Sequence, residues 1–122
     1  MSRIKQVLIV RKDLKMRRGK ENAQCSHASQ AFMVKSYLNG GKPSKDAVKW
    51  YADGQTKICV WVNSEKELLD IFQEAKNLGL DSHIITDAGH TEFNGVPTKT
   101  VVAIGPNSED KINKITGHLP LR

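Results

Sequence analysis

Three polar side chains in the first third of the chain, Lys20, Gln24 and His27, follow one another at intervals of four and three residues. In a helix this spacing places an ammonium, an amide and an imidazole on one face. Such a face could bind a polar or anionic substrate and stabilise negative charge. Lys20 and His27 also have ordinary interpretations. A lysine at a helix start is often solvated, and a histidine often only hydrogen-bonds in a half-buried position.

A carboxylate and several hydroxyls cluster later in the sequence, where an apolar segment ends at Asp87 and a loop begins with Ala88-Gly89. Ligands of α/β proteins bind at the carboxyl ends of strands, so Asp87 could hold a water molecule or accept its proton. Asp87 could equally make a local turn. Thr91, Thr98 and Thr100 offer hydroxyls nearby, and Thr98 and Thr100 are expected to share one face of a strand. Threonine is also common in strands simply because β-branched residues favour them, so these hydroxyls could have no chemical role.

The segment between Arg11 and Lys20 is strongly basic, with six cations against one acid, Asp13. It joins the apolar run Val7–Val10 to the predicted helix, whose first backbone N–H groups favour an anionic ligand such as a phosphate or carboxylate. The whole chain carries a formal charge of +6. This balance favours an acidic partner such as nucleic acid.

Length and composition predict one globular domain over residues 1–122, with 39 % hydrophobic and 26 % charged residues. No apolar run approaches the roughly 20 residues of a membrane span, and Val7–Val10 is too short for a signal peptide. We therefore expect no membrane partner. The two cysteines and four histidines lack metal-ligand or redox spacing, so we expect reduced thiols, a cytoplasmic setting and no metal.

Hydrophobic periodicity and capping residues predict eight elements in the order β-α-α-β-α-β-β-α, which indicates an α/β fold with one sheet covered on both faces. The predicted strands are Val7–Val10, 58–62, His83–Thr86 and Thr98–Ile104. The predicted helices run from about Lys20 to Leu38, from Ser44 to Trp50, from the capping box Ser64–Glu67 to Gly79, and from Ser108 to Gly117. No P-loop, GxGxxG, GxSxG or HExxH motif occurs. An enzyme of this sequence would therefore act through positioned charge and water, without a cofactor or a covalent intermediate.

Five strings together resemble the type 2 peptidyl-tRNA hydrolases, the archaeal and eukaryotic kind. They are DLKMRRGKENAQCSHA (13–28), WYADGQTK (50–57), DAGHT (87–91), TVVAIGP (100–106) and KITGHL (114–119). The resemblance spans essentially the whole chain, in matching order. It departs at Arg17, where the family usually has glycine, at His90, where it commonly has Arg or Lys, and in a loop at 94–98 that is one residue longer.

The resemblance implies a four-stranded mixed sheet with helices on both sides, and hydrolysis of the ester that links a peptide to the 3′ end of tRNA. Matching each motif by position assigns the family's catalytic residues to Lys20, Gln24, His27, Asp87, Thr91 and Thr100. We expect Asp87 to orient or deprotonate the attacking water and Lys20 to stabilise charge on the ester oxygen, while the other four hold substrate and water. The implied partner is peptidyl-tRNA, with Arg11, Lys15, Arg17, Arg18 and His90 as contacts to its phosphates.

Other functional classes remain open from the sequence. A non-catalytic tRNA- or RNA-binding protein could use the same scaffold, and so could a protein-interaction module. The acyl group released could also be a single amino acid. Relatives are often dimeric, so a homodimer is a further expectation, although the residues themselves give no interface signature.

Overall fold

The sheet of this protein is mixed and has four strands in the order β2-β1-β4-β3. In the computed structural model, which describes residues 3–122, the strands are β1 (Ile4–Arg11), β2 (Lys57–Val62), β3 (Ser82–Asp87) and β4 (Thr98–Ser108). β1 pairs in parallel with β2, while β4 is antiparallel to both β1 and β3. The carboxyl ends of β1, β2 and β3 and the amino end of β4 therefore meet at one edge, which we call the site edge.

Two helices cover each face of the sheet. Helices α1 (Arg18–Leu38) and α2 (Lys45–Ala52) follow β1, and α3 (Glu65–Asn77) and α4 (Glu109–Thr116) follow β2 and β4. Ser44 and Ser64 cap α2 and α3 by accepting backbone hydrogen bonds from Ala47 and Glu67 at 3.0 and 3.1 Å. These caps satisfy N–H groups that have no partner inside the helix.

The side chains of β1 alternate between two apolar cores. Val7 and Ile9 pack with α3 and α4, whereas Leu8 and Val10 pack with α1. All four are buried, as expected of a strand covered on both faces. A third cluster joins Ile4, Phe32, Ala47 and Trp50 under α1 and α2.

A β-bulge interrupts β4 close to the site edge. Ile85 pairs with Val101 and Thr86 pairs with Lys99, which leaves Thr100 as an extra residue between them. A bulge breaks the alternation of side chains along a strand. Thr100 and Val101 consequently both lie on the α1 face, where Thr100 contacts Gln24 and Val101 joins the core around Ala28.

The observed element order confirms the predicted one, and so does the α/β fold with helices on both faces. The strands are longer than predicted, since β1 begins at Ile4 and β4 extends to Ser108. Met1 and Ser2, the start of the domain predicted over residues 1–122, lie outside the described residues. Within residues 3–122, no helix has both the length and the apolar character that crossing a membrane requires.

The basic turn before α1 does not depend on a glycine at position 17. Arg17 is the N-cap of α1 with φ −60° and ψ 153°, a conformation open to any residue. The left-handed conformation instead falls on Lys15, with φ 52°, which ends a short 3₁₀ turn at Lys12–Leu14. Arginine in place of the family's glycine therefore adds a cation without straining the turn.

Candidate active site

An ion pair between α1 and the end of β3 forms the centre of the site. The Lys20 Nζ atom lies 2.6 Å from Asp87 Oδ1 and 2.8 Å from Thr91 Oγ1. The Lys20 and Asp87 side chains are only 15 % and 12 % exposed. Lys20 belongs to the first turn of α1 and Asp87 is the last residue of β3, so the site edge brings together residues 67 positions apart.

A second pair of side chains, Thr100 and Gln24, packs next to the Asp87 end of this ion pair. The buried Thr100 hydroxyl donates a 2.6 Å hydrogen bond to Gln24 Oε1. This bond turns the Gln24 amide nitrogen toward Asp87 Oδ1, at 3.4 Å. Lys20, Gln24, Asp87, Thr91 and Thr100 thus form one connected polar network.

The two oxygens of Asp87 have different roles. Oδ1 accepts from Lys20, and Oδ2 accepts a 2.8 Å hydrogen bond from the backbone N–H of Gly89, two residues along. The second contact is the local turn that was the alternative interpretation of Asp87. The turn interpretation is therefore confirmed for Oδ2, while the role of Asp87 in holding a water molecule stays a prediction.

The charge of Asp87 is stabilised by its neighbours. The hydrogen bond from Lys20 lowers the pKa of the Asp87 carboxyl, and the Gly89 N–H and the charge of His90 act in the same direction. Burial opposes them but is outweighed. Asp87 is therefore ionised at neutral pH and can orient a water molecule, although a lowered pKa makes it a weaker proton acceptor.

The structure does not bring His27 into this network. Its side chain is exposed and has no hydrogen-bond partner among the described residues. Ala28 occupies the buried position on α1 that continues the line from Lys20 and Gln24. His27 lies instead beside a cavity of about 460 Å³ along the outer side of α1, together with Gln30, Ala31, Val34, Lys35, Leu38 and Asn39.

The five residues expected to contact tRNA lie around the start of α1, and four of them are exposed: Lys15, Arg17, Arg18 and His90. Arg17 is 90 % exposed and stands 3.8 Å from Glu92. Arg11 differs, because its guanidinium binds both carboxylate oxygens of Asp13 and the backbone carbonyl of Lys99. Its side chain is only 12 % exposed.

Two further features of the site have no signal in the sequence. The Phe93 ring lies 5.9 Å from the Lys20 ammonium, a cation–π contact provided by a loop. Arg122 binds both carboxylate oxygens of Glu21, next to Lys20, with a shortest distance of 2.9 Å. Neither contact is local in sequence, so neither could be derived from spacing.

The network is suited to reactions in which charge develops on an oxygen. An ammonium has three N–H donors, and Asp87 and Thr91 occupy two of the three on Lys20. The third is available to a substrate oxygen. Residues 3–122 contain no group of three or more histidine, cysteine, aspartate or glutamate side chains that could hold a metal ion.

Comparison with known proteins gives a match over almost the entire chain. The family model described as Peptidyl-tRNA hydrolase PTH2 matches residues 4–122. A peptidyl-tRNA hydrolase of Methanocaldococcus jannaschii is 46 % identical over 119 residues, covering 97 % of this chain and 99 % of that protein. The peptidyl-tRNA hydrolase of Thermococcus sibiricus is 42 % identical over 123 residues, covering 99 % of each.

A solved structure shares the fold at low identity. It is a protein of unknown function from Agrobacterium, with a TM-score of 0.66 and 14 % identity, and the match covers 100 % of this chain and 99 % of that one. At this identity the likeness concerns the fold alone.

Proposed function

Because the chain belongs to the Peptidyl-tRNA hydrolase PTH2 family, we propose that it hydrolyses the ester between a peptidyl group and the 3′ end of tRNA, which frees the tRNA. The observation that carries this proposal is the half-buried Lys20–Asp87 pair, with Nζ and Oδ1 2.6 Å apart at the site edge. The family match supports the type of reaction, and the Lys20–Asp87 pair provides the charged groups that such a reaction needs.

Lys20 is the group proposed to stabilise the transition state. Attack of water on the ester carbonyl places negative charge on its oxygen, and the remaining N–H of Lys20 can stabilise that charge by donating a hydrogen bond to it. The first N–H groups of α1 can add to this effect, because Arg17 gives them no side-chain cap. An ester is more reactive than an amide, so modest stabilisation is sufficient.

Asp87 is proposed to position the attacking water. Its lowered pKa keeps it anionic, and Lys20 and Gly89 hold its two oxygens in place. Gln24 and Thr100 fix the carboxylate from below, and Thr91 fixes the ammonium. His27, outside the network, is proposed as a contact to the substrate only.

The exposed basic side chains near the start of α1 support tRNA as the substrate carrier. Lys15, Arg17 and Arg18 precede Lys20 in the chain, His90 follows Asp87 by three residues, and all four are exposed. A phosphate backbone that binds these side chains would bring the 3′ end of tRNA to the ester-cleaving pair, and such binding weakens as salt rises. We also propose the cytoplasm as the place of action, since both cysteines are free thiols.

The experiment that tests the function measures release of a labelled N-blocked aminoacyl group from tRNA. We expect turnover by the wild type and losses on the order of 10²- to 10³-fold in Lys20→Ala, with a similar loss in Asp87→Asn. Lys114→Ala and Asp70→Asn are matched controls, because both residues are exposed on helices of the opposite sheet face. Wild-type protein that binds tRNA without turnover would establish the RNA-binding alternative, and near-normal turnover in both variants would overturn the site.

A homodimer through α1 is part of the proposal. An apolar stripe of Met33, Val34, Tyr37 and Leu38 follows the outer side of this helix, with Tyr37 81 % and Leu38 74 % exposed. It borders a cavity of about 630 Å³, and two copies related by a two-fold axis could each cover the stripe of the other. Light scattering should give twice the monomer mass for wild type and the monomer mass for Tyr37→Glu. A monomeric wild type at the same concentration would overturn this part.

A further inference from the structure

The two cysteines, far apart in sequence, lie on the same face of the sheet. Cys59 is on β2 directly opposite Leu8 of β1 in the parallel pairing. Leu8 belongs to the core beneath α1, and Cys25 of α1 packs against that same core. Register and packing therefore place both sulfur atoms beside Leu8, between α1 and the edge strand β2.

The two thiols differ in accessibility and in acidity. Cys59 is exposed and Cys25 is half-buried. The neighbouring Cys25 thiol lowers the pKa of Cys59 to about 7, with help from the charge of Lys57. The same interaction, together with burial, raises the pKa of Cys25 well above its ordinary value. At neutral pH a substantial fraction of the exposed sulfur is therefore thiolate, whereas the inner one is a thiol.

The backbone on both sides of this pair is held in place by the end of the chain. The Arg122 N–H donates to the Cys59 carbonyl at 2.9 Å, and the Pro120 carbonyl accepts from Trp61 N–H at 3.1 Å. The Arg122 guanidinium then binds Glu21, one helical turn before Cys25. Residues 120–122 thus connect β2 to α1 beside the two sulfur atoms. This connection keeps the two cysteines close in the folded state.

We propose that Cys59 and Cys25 form a redox-active dithiol that hydrogen peroxide closes to a disulfide. The Cys59 thiolate attacks one peroxide oxygen, the O–O bond breaks, and hydroxide leaves, which gives a sulfenic acid on Cys59. The Cys25 sulfur then attacks the Cys59 sulfur, and the S–O bond breaks. The departing hydroxide and the proton of Cys25 form water, so two thiols are oxidised as one peroxide is reduced to two waters.

The experiment follows the intact native protein after exposure to hydrogen peroxide. Mass spectrometry should show the loss of two hydrogen atoms and a peptide linking Cys25 to Cys59, formed faster in native protein than in guanidinium-unfolded protein. Iodoacetamide should alkylate Cys59 first, with a midpoint near pH 7. In Cys25→Ser, dimedone should trap the sulfenic acid on Cys59, whereas Cys59→Ser should give no trapped product.

A second variant measurement separates reactivity from simple packing. Cys25→Ser removes the thiol that lowers the pKa of Cys59, so the alkylation midpoint should rise toward the ordinary thiol value of about 8.5, provided that the thermal melting of the variant shows a folded protein. The proposal is overturned if native protein forms the disulfide no faster than unfolded protein. It is also overturned if Cys59 of the wild type titrates at the ordinary value.

Discussion

Thr100 Oγ1 lies 2.6 Å from Gln24 Oε1, and this bond exists because β4 contains one residue more than β3 at that point. The bulge keeps Thr100 on the α1 face together with Val101, which follows it. Gln24 is 4 % exposed and has no other donor for its carbonyl oxygen among the described residues. The orientation of the amide beside Asp87 thus depends on a local irregularity of the sheet.

Replacement of Thr100 by valine should lower both stability and turnover. The substitution keeps the β-branched shape but leaves the buried Gln24 oxygen without a donor, which costs about 1–3 kcal/mol. Thr98→Val is the matched control, because within residues 3–122 the Thr98 hydroxyl donates only to the nearby Val96 carbonyl. Urea unfolding and esterase turnover should both rank Thr100→Val below Thr98→Val; the reverse order would contradict a role for the bulge.

Gly89→Ala should destabilise the loop that follows Asp87. Gly89 has φ +86°, and a Cβ there would lie 2.7 Å from the backbone N and O of Val96. Gly95→Ala introduces a side chain at a similar φ of +76°, with nothing within 4 Å. Strained backbone alone costs about 1–3 kcal/mol, so thermal unfolding should show a larger loss for Gly89→Ala. Equal losses in the two variants would show that the close approach to Val96 is unimportant.

Acidification should remove the stabilisation that comes from the Lys20–Asp87 pair. Because Lys20 lowers the pKa of Asp87 in the folded protein, the unfolded chain binds this proton more tightly. The contribution is fully present above the ordinary pKa of 3.8 and is lost as pH falls through the lowered folded-state value. The difference in free energy of unfolding between wild type and Asp87→Asn should therefore shrink in acid. A difference that stays constant below that range would contradict this linkage.

Salt dependence should distinguish the exposed arginines from Arg11. Arg17→Ala and Arg18→Ala should each weaken tRNA binding. Each should also make the plot of log binding constant against log salt less steep, by about 0.7–0.9 for every phosphate that the arginine neutralises in the wild type. Arg11 is already bound to Asp13 and the Lys99 carbonyl, so Arg11→Ala should lower stability more than it changes the slope. Filter binding over a salt series checks this, with Lys114→Ala as a surface control. An unchanged slope for Arg17→Ala and Arg18→Ala would remove them from the interface.

Local patterns predict the elements well, because periodicity and caps are properties of short segments. The serines at positions 44 and 64 cap the helices that follow them, and the apolar run at Val7–Val10 lies in the doubly covered strand β1. The spacing of Lys20 and Gln24 also predicts their common face. His27 has nearly the same helical phase as Lys20, but it lies about two turns further along α1, where its side chain is exposed and outside the network.

Features that depend on the pairing of distant segments could not be derived in this way. The bulge at Thr100 is a property of the register between β3 and β4. The Arg122–Glu21 contact joins residues 101 positions apart, and the Cys25–Cys59 pair joins a helix to the outermost strand. The two oxygens of Asp87 are likewise distinguished only by the geometry, which shows that Oδ2 makes the local turn and Oδ1 binds Lys20.

The position of β4 in the middle of the sheet has a consequence for the order in which the protein matures on the ribosome. β1 and β3 have no direct pairing with each other, and both are joined through β4, which follows them in the chain. We therefore expect the sheet to hold Lys20 and Asp87 in place only after β4 has left the exit tunnel and inserted between β1 and β3. We expect a growing chain of this hydrolase to be inactive before β4 is translated, including toward the peptidyl-tRNA that carries it.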